Sequence, residues 1–182
     1  MLETTQRVLP LHILSIGAYN NLYDMAKIDA PNALYATAAW PSNNLAIYMP
    51  LHLRAPFTIA RFMVANGSNT TGNVDVGLYS LEGARLLSTG TTLRAGGSAV
   101  QYIGVADTRF PAGHYYLGLV GSSTTGTYGV LQVNAAPAPF EARMCGALQE
   151  ALGSTVLPVA MTPVAYTSAN WYFFGFTQSD AL

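Results

Sequence analysis

The three histidines of this chain, His12, His52 and His114, are the residues best suited to metal binding or to proton transfer at neutral pH. They lie far apart in sequence and form no HxH or HxxxH pair, the spacings that bring two ligands together on one element. A metal site would need them to converge with a carboxylate. We therefore expect partly buried strand histidines and no bound metal or cofactor.

Serine and cysteine nucleophiles have no recognisable setting in the sequence. No GxSxG motif occurs, and the GSS sequence at 121–123 lies in a loop rich in Ser, Thr and Gly. Cys145 is the single cysteine, so the chain can form no internal disulfide and no cysteine-rich metal cluster. We interpret it as a small buried apolar residue rather than a reactive thiol.

Carboxylate pairs are the remaining route to catalysis, and the chain has nine Asp and Glu residues in total. Asp75 and Asp107 lie near the ends of predicted strands and could meet as the two acids of a glycosidase do. However, Asp107 precedes Thr108 in a turn context, where Asp commonly bonds to its own backbone. The loop 66–73 (NGSNTTGN) supplies oxygens without a carboxylate, so we expect no calcium loop. We expect no catalytic residues, and an esterase or glycosidase is our third hypothesis.

The composition is poor in charge. Charged residues make up 9% of the chain, against about 25% in ordinary soluble domains, and hydrophobic residues make up 51%. The net charge is −1, and the seven arginines are scattered between Arg7 and Arg143, so we expect no nucleic-acid binding. A charge-poor exterior is typical of a surface that other subunits cover, which favours a homo-oligomer.

Neither a secretory signal nor a membrane span is recognisable in the sequence. Met1 is followed by Leu-Glu-Thr-Thr and not by a basic segment and an apolar run. No stretch approaches the roughly 20 uninterrupted apolar residues that a membrane helix requires. We expect a protein that is made in the cytoplasm and does not enter a membrane.

Short segments of alternating apolar and polar residues, separated by turn residues, fill most of the chain from residue 43 onward. Such segments are typical of β-strands. Within 73–80, the side chains of Val74, Val76 and Leu78 share one face, which we expect to be core. The pattern predicts an all-β fold, a sandwich or a barrel. The predicted strands are 45–53, 57–65, 73–80, 84–93, 99–106, 113–121 and 128–134, with a last aromatic strand at 169–176.

The two ends of the chain differ from this pattern. Residues 1–42 show no sustained period, apart from one candidate strand near the start, and we interpret them as an N-terminal docking arm that precedes a sandwich domain at 43–182. In the C-terminal part, Met144, Leu148 and Leu152 are four residues apart, which predicts a short amphipathic helix over about 141–152. The alternative is a strand on either side of Gly146.

Aromatic residues are the best candidates for surface contacts. The chain has eleven Tyr, seven Phe and two Trp, and exposed rings can stack on sugars or anchor a protein interface. Alternation sends about half of them inward, so core packing is the default for any one ring. The candidate contact residues are Arg7 and Tyr23 from the arm, Trp40 at the junction, and Trp171 and Tyr172 near the end.

One block of sequence resembles a known group of proteins. Residues 37–134 include NVDVGLY, a G.RL hairpin and PAGHYYLGLV, and they resemble jelly-roll proteins encoded among the structural genes of tailed bacteriophages. Similar elements also occur in carbohydrate-binding and other accessory sandwich domains. The resemblance implies a jelly-roll-like antiparallel β-sandwich within a virion, usually as a homotrimer.

Two functional hypotheses follow, in addition to the enzyme. The first is a structural virion protein, either a capsid decoration (cement) protein or a head or tail fibre or adhesin module. It would act by assembly with itself and with capsid or tail proteins, its arm clasping a neighbour. The alternative is a lectin-like module that binds host surface glycans through loop aromatics and Asn and Thr groups. Fold likeness alone shows no activity.

Overall fold

The computed structural model describes residues 13–14, 36–131, 146–168 and 170–177. These residues form strands, turns and loops with no helix, arranged in antiparallel pairs. The predicted all-β antiparallel sandwich is confirmed. The strands are β1 (Ile13–Leu14), β2 (Ala36–Ala39), β3 (Leu45–Leu53), β4 (Phe57–Ala65), β5 (Asn73–Ser80), β6 (Arg85–Ser88), β7 (Thr92–Leu93), β8 (Val100–Phe110), β9 (Gly113–Gly121), β10 (Thr127–Leu131), β11 (Leu148–Ala151), β12 (Val164–Ala165), β13 (Trp171–Tyr172) and β14 (Phe174–Thr177).

One layer of the sandwich, here called the first sheet, has the strand order β12-β11-β3-β9-β5-β6, and β7 also pairs with β5. The second layer contains the strand sets β1-β14-β4-β8 and β13-β10-β2. A bridge between Asn66 and Tyr128 connects these two sets. The Phe173 amide connects them as well, since it donates to the Gly129 carbonyl at 2.9 Å.

The main core lies between the two layers and follows the predicted alternation. On β5, Val74, Val76 and Leu78 are fully buried in this core, as the sequence pattern predicts. Every second residue of β3 and β9 faces the same core, because successive side chains of a strand point to opposite sides. The facing side chains come from β4, β8, β10, β13 and β14, and include several phenylalanines.

Four strands have the predicted bounds, and others differ. β3, β4, β5 and β9 match the predicted segments residue for residue. The predicted strand 84–93 is divided into β6 and β7, because Gly90 has a φ of +65°, a left-handed conformation that interrupts an extended strand. The aromatic segment 169–176 is divided as well, so β13 pairs with β10 and β14 pairs with β4.

The predicted helix over 141–152 is wrong for its described part. Residues 148–151 form β11, which pairs with β3 on one side and with β12 on the other. The predicted alternative of a strand after Gly146 is therefore confirmed on that side, and residues 141–145 lie outside the described ranges. The apolar residues four positions apart favour a helix, but hydrogen bonding to the edge of β3 outweighs this preference.

Part of the predicted arm is built into the sandwich. Ile13–Leu14 pairs with β14, and Ala36–Ala39 pairs with β10. Trp40, which follows β2, is in the main core. The rest of residues 1–35 lies outside the described ranges, and its role as a docking arm stays a prediction.

Candidate functional site

Part of the outer face of the first sheet is covered by a segment of the same chain. We call residues 152–162 the covering segment. Its Leu157 is fully buried in a second small core with Tyr48 and Tyr79, whose rings meet edge to face at 5.3 Å. The alternation in 73–80 predicts only one face of β5 as core, whereas both faces are buried.

A buried carboxylate holds the covering segment to the sheet. Asp75 Oδ2 accepts a hydrogen bond from the Leu157 amide at 2.9 Å, and Oδ1 accepts one from Thr89 Oγ1 at 3.1 Å. Burial raises the pKa of Asp75 above its ordinary value, although these two hydrogen bonds and the nearby Arg85 oppose the shift. Its oxygens bond to the protein itself, so Asp75 acts as a structural anchor.

Two tyrosines of the outer face add further attachments. The Tyr79 hydroxyl donates to the Pro158 carbonyl at 2.7 Å, and the Tyr48 hydroxyl donates to Glu150 Oε2 at 3.0 Å. Glu150 in turn accepts bonds from the amide and the hydroxyl of Thr162, at 3.1 and 2.7 Å. Burial raises the pKa of both tyrosines, so they remain hydroxyl donors at neutral pH.

Glycines make room for this arrangement. A Cβ atom at Gly118 would lie 3.0 Å from the Tyr48 ring and 3.2 Å from the Tyr79 ring. A Cβ atom at Gly77 would lie 2.8 Å from the Leu87 carbonyl and 3.0 Å from the Leu157 side chain. Both glycines are on the outer face, where larger residues would displace the tyrosines or the covering segment.

The outer side of the covering segment presents aliphatic side chains to solvent along the β6 edge of the first sheet. Val159 is 74% exposed, and its carbonyl accepts a bond from the Arg85 amide at 2.9 Å, next to the exposed Leu86. Leu81, 56% exposed, lies in the turn before β6. We call Leu81, Leu86, Val156 and Val159 the rim patch.

A second cluster lies at the end of the sandwich where the loops 66–72, 94–98 and 122–127 meet. Arg94 is almost completely buried, and its Nε and Nη2 donate to Asn66 Oδ1 at 3.0 and 2.9 Å. Nη1 donates to the Thr71 carbonyl at 3.3 Å, and Nη2 also donates to the Thr127 carbonyl. The guanidinium lies over the Tyr128 ring, with Cζ 3.6 Å from the centroid.

This arrangement is structural. Burial lowers the pKa of Arg94, but a guanidinium stays protonated at physiological pH. Neutral carbonyl oxygens and an aromatic face stabilise the cation. Arg94 therefore fixes three loops relative to one another, and its donors are directed at the protein and not at a ligand.

Two histidines meet that the sequence places far apart. His52 and His114 are direct partners in the ladder of β3 and β9, and both are exposed. Their rings stack with centroids 4.4 Å apart and an angle of 10° between the planes. His12 lies outside the described residues. Spacing along the chain does not predict this pair, because the register of β3 against β9 creates it.

The candidate contact residues occupy different environments. Trp40 is 1% exposed, its ring lies 4.5 Å from that of Tyr172, and its Nε1 donates to the Leu45 carbonyl at 2.9 Å. Tyr172 is also buried and donates to the Ala39 carbonyl at 2.7 Å. Both rings therefore have their contacts inside the chain. Trp171 packs partly buried against the core, and Arg7 and Tyr23 lie outside the described ranges.

The carboxylates considered as a catalytic pair lie in different layers. Asp75 is on the outer face of the first sheet, and Asp107 is exposed on β8 in the second layer. Within the described residues, no group of three or more His, Cys, Asp and Glu side chains is placed to hold a metal ion. The described ranges also include no helix with the length and apolar character needed to cross a bilayer.

No protein-family model matches this sequence, and comparison with curated proteins gives no significant match.

Proposed function

We propose that this chain is an assembly protein, a homo-oligomeric building block that acts through protein contacts and not through chemistry. The observation that carries the proposal is the rim patch, four exposed aliphatic side chains along one edge of the first sheet. Full burial of one such side chain contributes about 1.5–3 kcal/mol, so an interface that covers the patch would be stabilised by several kcal/mol.

Hydrogen bonds beneath the rim patch hold part of it in place, which suits the patch to a role as an interface. The Asp75, Tyr79 and Arg85 side chains all bond to residues 157–158, between Val156 and Val159. A segment with a fixed backbone loses little conformational entropy when a partner binds, which favours assembly. The low charge of the chain acts in the same direction, because few ionic groups would have to be desolvated.

The setting that we propose is a bacteriophage particle, in which the chain serves as a capsid decoration protein or as a fibre or adhesin module, usually as a trimer. This part of the proposal depends on the resemblance of residues 37–134 to phage jelly-roll proteins. Quantitative mass spectrometry of purified particles tests it. A fixed copy number per particle, in multiples of the oligomer, supports the setting, and absence from purified particles contradicts it.

Changing the rim patch tests the interface. We expect Val159→Asp to dissociate the oligomer, as measured by size-exclusion chromatography with light scattering, because a carboxylate would be buried without a partner. Val164→Asp is the matched control, since Val164 is similarly exposed, at 63%, on β12 at the opposite edge of the same sheet. The proposed interface is contradicted if only the control variant loses the oligomer, or if both variants keep it.

A lectin-like module is the second candidate, and the loop end of the sandwich favours it. The loops 66–72 and 122–127 carry amides and hydroxyls without a carboxylate, and Asn69 Oδ1 accepts bonds from the Thr71 amide and hydroxyl at 2.9 and 2.7 Å. A glycan array distinguishes the two candidates. Specific binding that is lost in Asn69→Ala but kept in Val159→Asp favours the lectin.

A further inference from the structure

The face-to-face pair of His52 and His114 has no role in the assembly proposal. The two residues are opposite each other on neighbouring antiparallel strands, where Cβ atoms are about 4.5–5.5 Å apart and side chains point to the same side of the sheet. Their rings are nearly parallel and 4.4 Å apart, and both are exposed. Two imidazoles therefore reach the same region of solvent.

The strands beneath the pair form a rigid frame. β3 and β9 are paired over nine consecutive positions, from Leu45 opposite Gly121 to Leu53 opposite Gly113. The neighbours Leu51 and Leu53 are buried in the main core, which holds the backbone of His52 in place. Only the side-chain torsions of each histidine remain free. Little conformational entropy is therefore lost when both rings bind one ligand.

Neutral imidazole is a good ligand for divalent late transition metals, which bind at 2.0–2.1 Å from the nitrogen. Two nitrogens on one ion are about 3 Å apart at angles near 90–100°. Rotation about the side-chain torsions changes the distance between the nitrogens of the two rings, whose centroids are already 4.4 Å apart.

We propose that His52 and His114 form a two-histidine site for a divalent late transition metal ion, bound most tightly as Cu²⁺ and less tightly as Ni²⁺ or Zn²⁺. Water completes the coordination, since no third His, Cys, Asp or Glu joins the pair among the described residues. The affinity is below that of a closed four-ligand site. The order of metals follows the general stability series for nitrogen ligands.

Isothermal titration of the full chain with Cu²⁺, after removal of any purification tag, tests the site. We expect wild type to bind one ion at this site, and His52→Ala and His114→Ala each to weaken binding by at least about tenfold, because even loss of a group behind a ligand costs 10–100-fold. His12→Ala is the control with the third histidine removed, and it should bind like wild type.

A second readout identifies the ligands directly. Substoichiometric Cu²⁺ should broaden the ring proton signals of His52 and His114 in the NMR spectrum while the His12 signals persist. Absence of Cu²⁺ binding by wild type, unchanged affinity in both His52→Ala and His114→Ala, or loss of binding in His12→Ala would overturn the proposal. Thermal unfolding without metal checks that each variant is folded.

Discussion

Asp75 and Leu157, 82 positions apart in the chain, are joined by a hydrogen bond of 2.9 Å from the Leu157 amide to the Asp75 carboxylate. This bond connects the middle of the first sheet to the covering segment, and it converts an open sheet face into a second core. Two residues of the rim patch, Val156 and Val159, are on the solvent side of the same segment. The proposed interface therefore depends on attachments made beneath it.

Asp75→Asn is expected to reduce the pH dependence of stability. Burial raises the pKa of Asp75 in the folded state, so the folded chain binds the proton more tightly than the unfolded chain. In the wild type, the contribution of Asp75 to the free energy of unfolding is fully present below the pKa of this group in the unfolded chain, about 3.9. This contribution is lost as the pH rises through the pKa in the folded chain.

Urea unfolding at several pH values from 4 to 7 measures the effect. Relative to wild type, Asp75→Asn should gain stability as the pH rises, since the amide keeps an acceptor for Leu157 and carries no charge. Asp75→Ala is the control, because it leaves the Leu157 amide without its acceptor and should lose stability at every pH. Parallel curves for wild type and Asp75→Asn would show that this carboxyl does not titrate differently on folding.

Tyr79→Phe should loosen the covering segment. The variant loses the bond to the Pro158 carbonyl, worth about 0.5–1.5 kcal/mol, and amide hydrogen exchange at Leu157 should accelerate. Tyr115→Phe is the matched control, since it loses a similar bond to the Pro111 carbonyl, at 2.9 Å, from the inner face. Equal exchange rates at Leu157 in both variants would argue against Tyr79 as an attachment.

Arg94→Lys should destabilise the loop end although it keeps the positive charge. An ammonium group cannot make the paired bonds from Nε and Nη2 to Asn66 or stack flat on Tyr128. We expect a loss of about 1.5–3 kcal/mol, the value of hydrogen bonds to charged groups, measured by denaturant unfolding. Arg109→Lys, at an exposed position of β8, is the control and should change stability little. If the free energy of unfolding of Arg94→Lys equalled that of the wild type, the positive charge alone would be what stabilises the loop end.

Trp40→Ala should cost about 3–5 kcal/mol in unfolding free energy, the usual cost of removing a large buried ring. Trp40 packs between Tyr128 and Tyr172 at 4.8 and 4.5 Å. Trp171→Ala, a partly buried ring, should cost less. The two variants also distinguish core packing from surface contact. If Trp40 bound a partner, Trp40→Ala would change the mass of the oligomer with little change in the stability of the monomer.

The sequence predicts the sandwich well where local signals surround a strand. β3, β5 and β9 have alternating residues between Gly, Pro and Asn turns, and their bounds follow from that pattern. Where the pattern is ambiguous, the prediction fails: the spacing of Leu148 and Leu152 fits a helix as well as a strand, and pairing with β3 decides for the strand.

The sites depend on contacts that no local pattern encodes. The Asp75 anchor requires the covering segment to return to a strand far earlier in the chain, and the His52–His114 pair requires the register of β3 against β9. The burial of Trp40 follows from β2, whose four residues carry no β-branched run that would distinguish a strand from the preceding segment. One local signal is present in the sequence. The apolar residues in VLPVA, at 156–160, indicate a segment that packs against another part of the chain.

The native mass of the wild-type chain in dilute solution tests the central claim most directly. Light scattering across a hundredfold range of concentration should give a constant mass at a multiple of the 19.3 kDa chain, with three copies as the expected number. A mass of 19.3 kDa that persists at the highest concentration, in a folded protein that binds none of the dyes that report exposed apolar surface, would contradict the account.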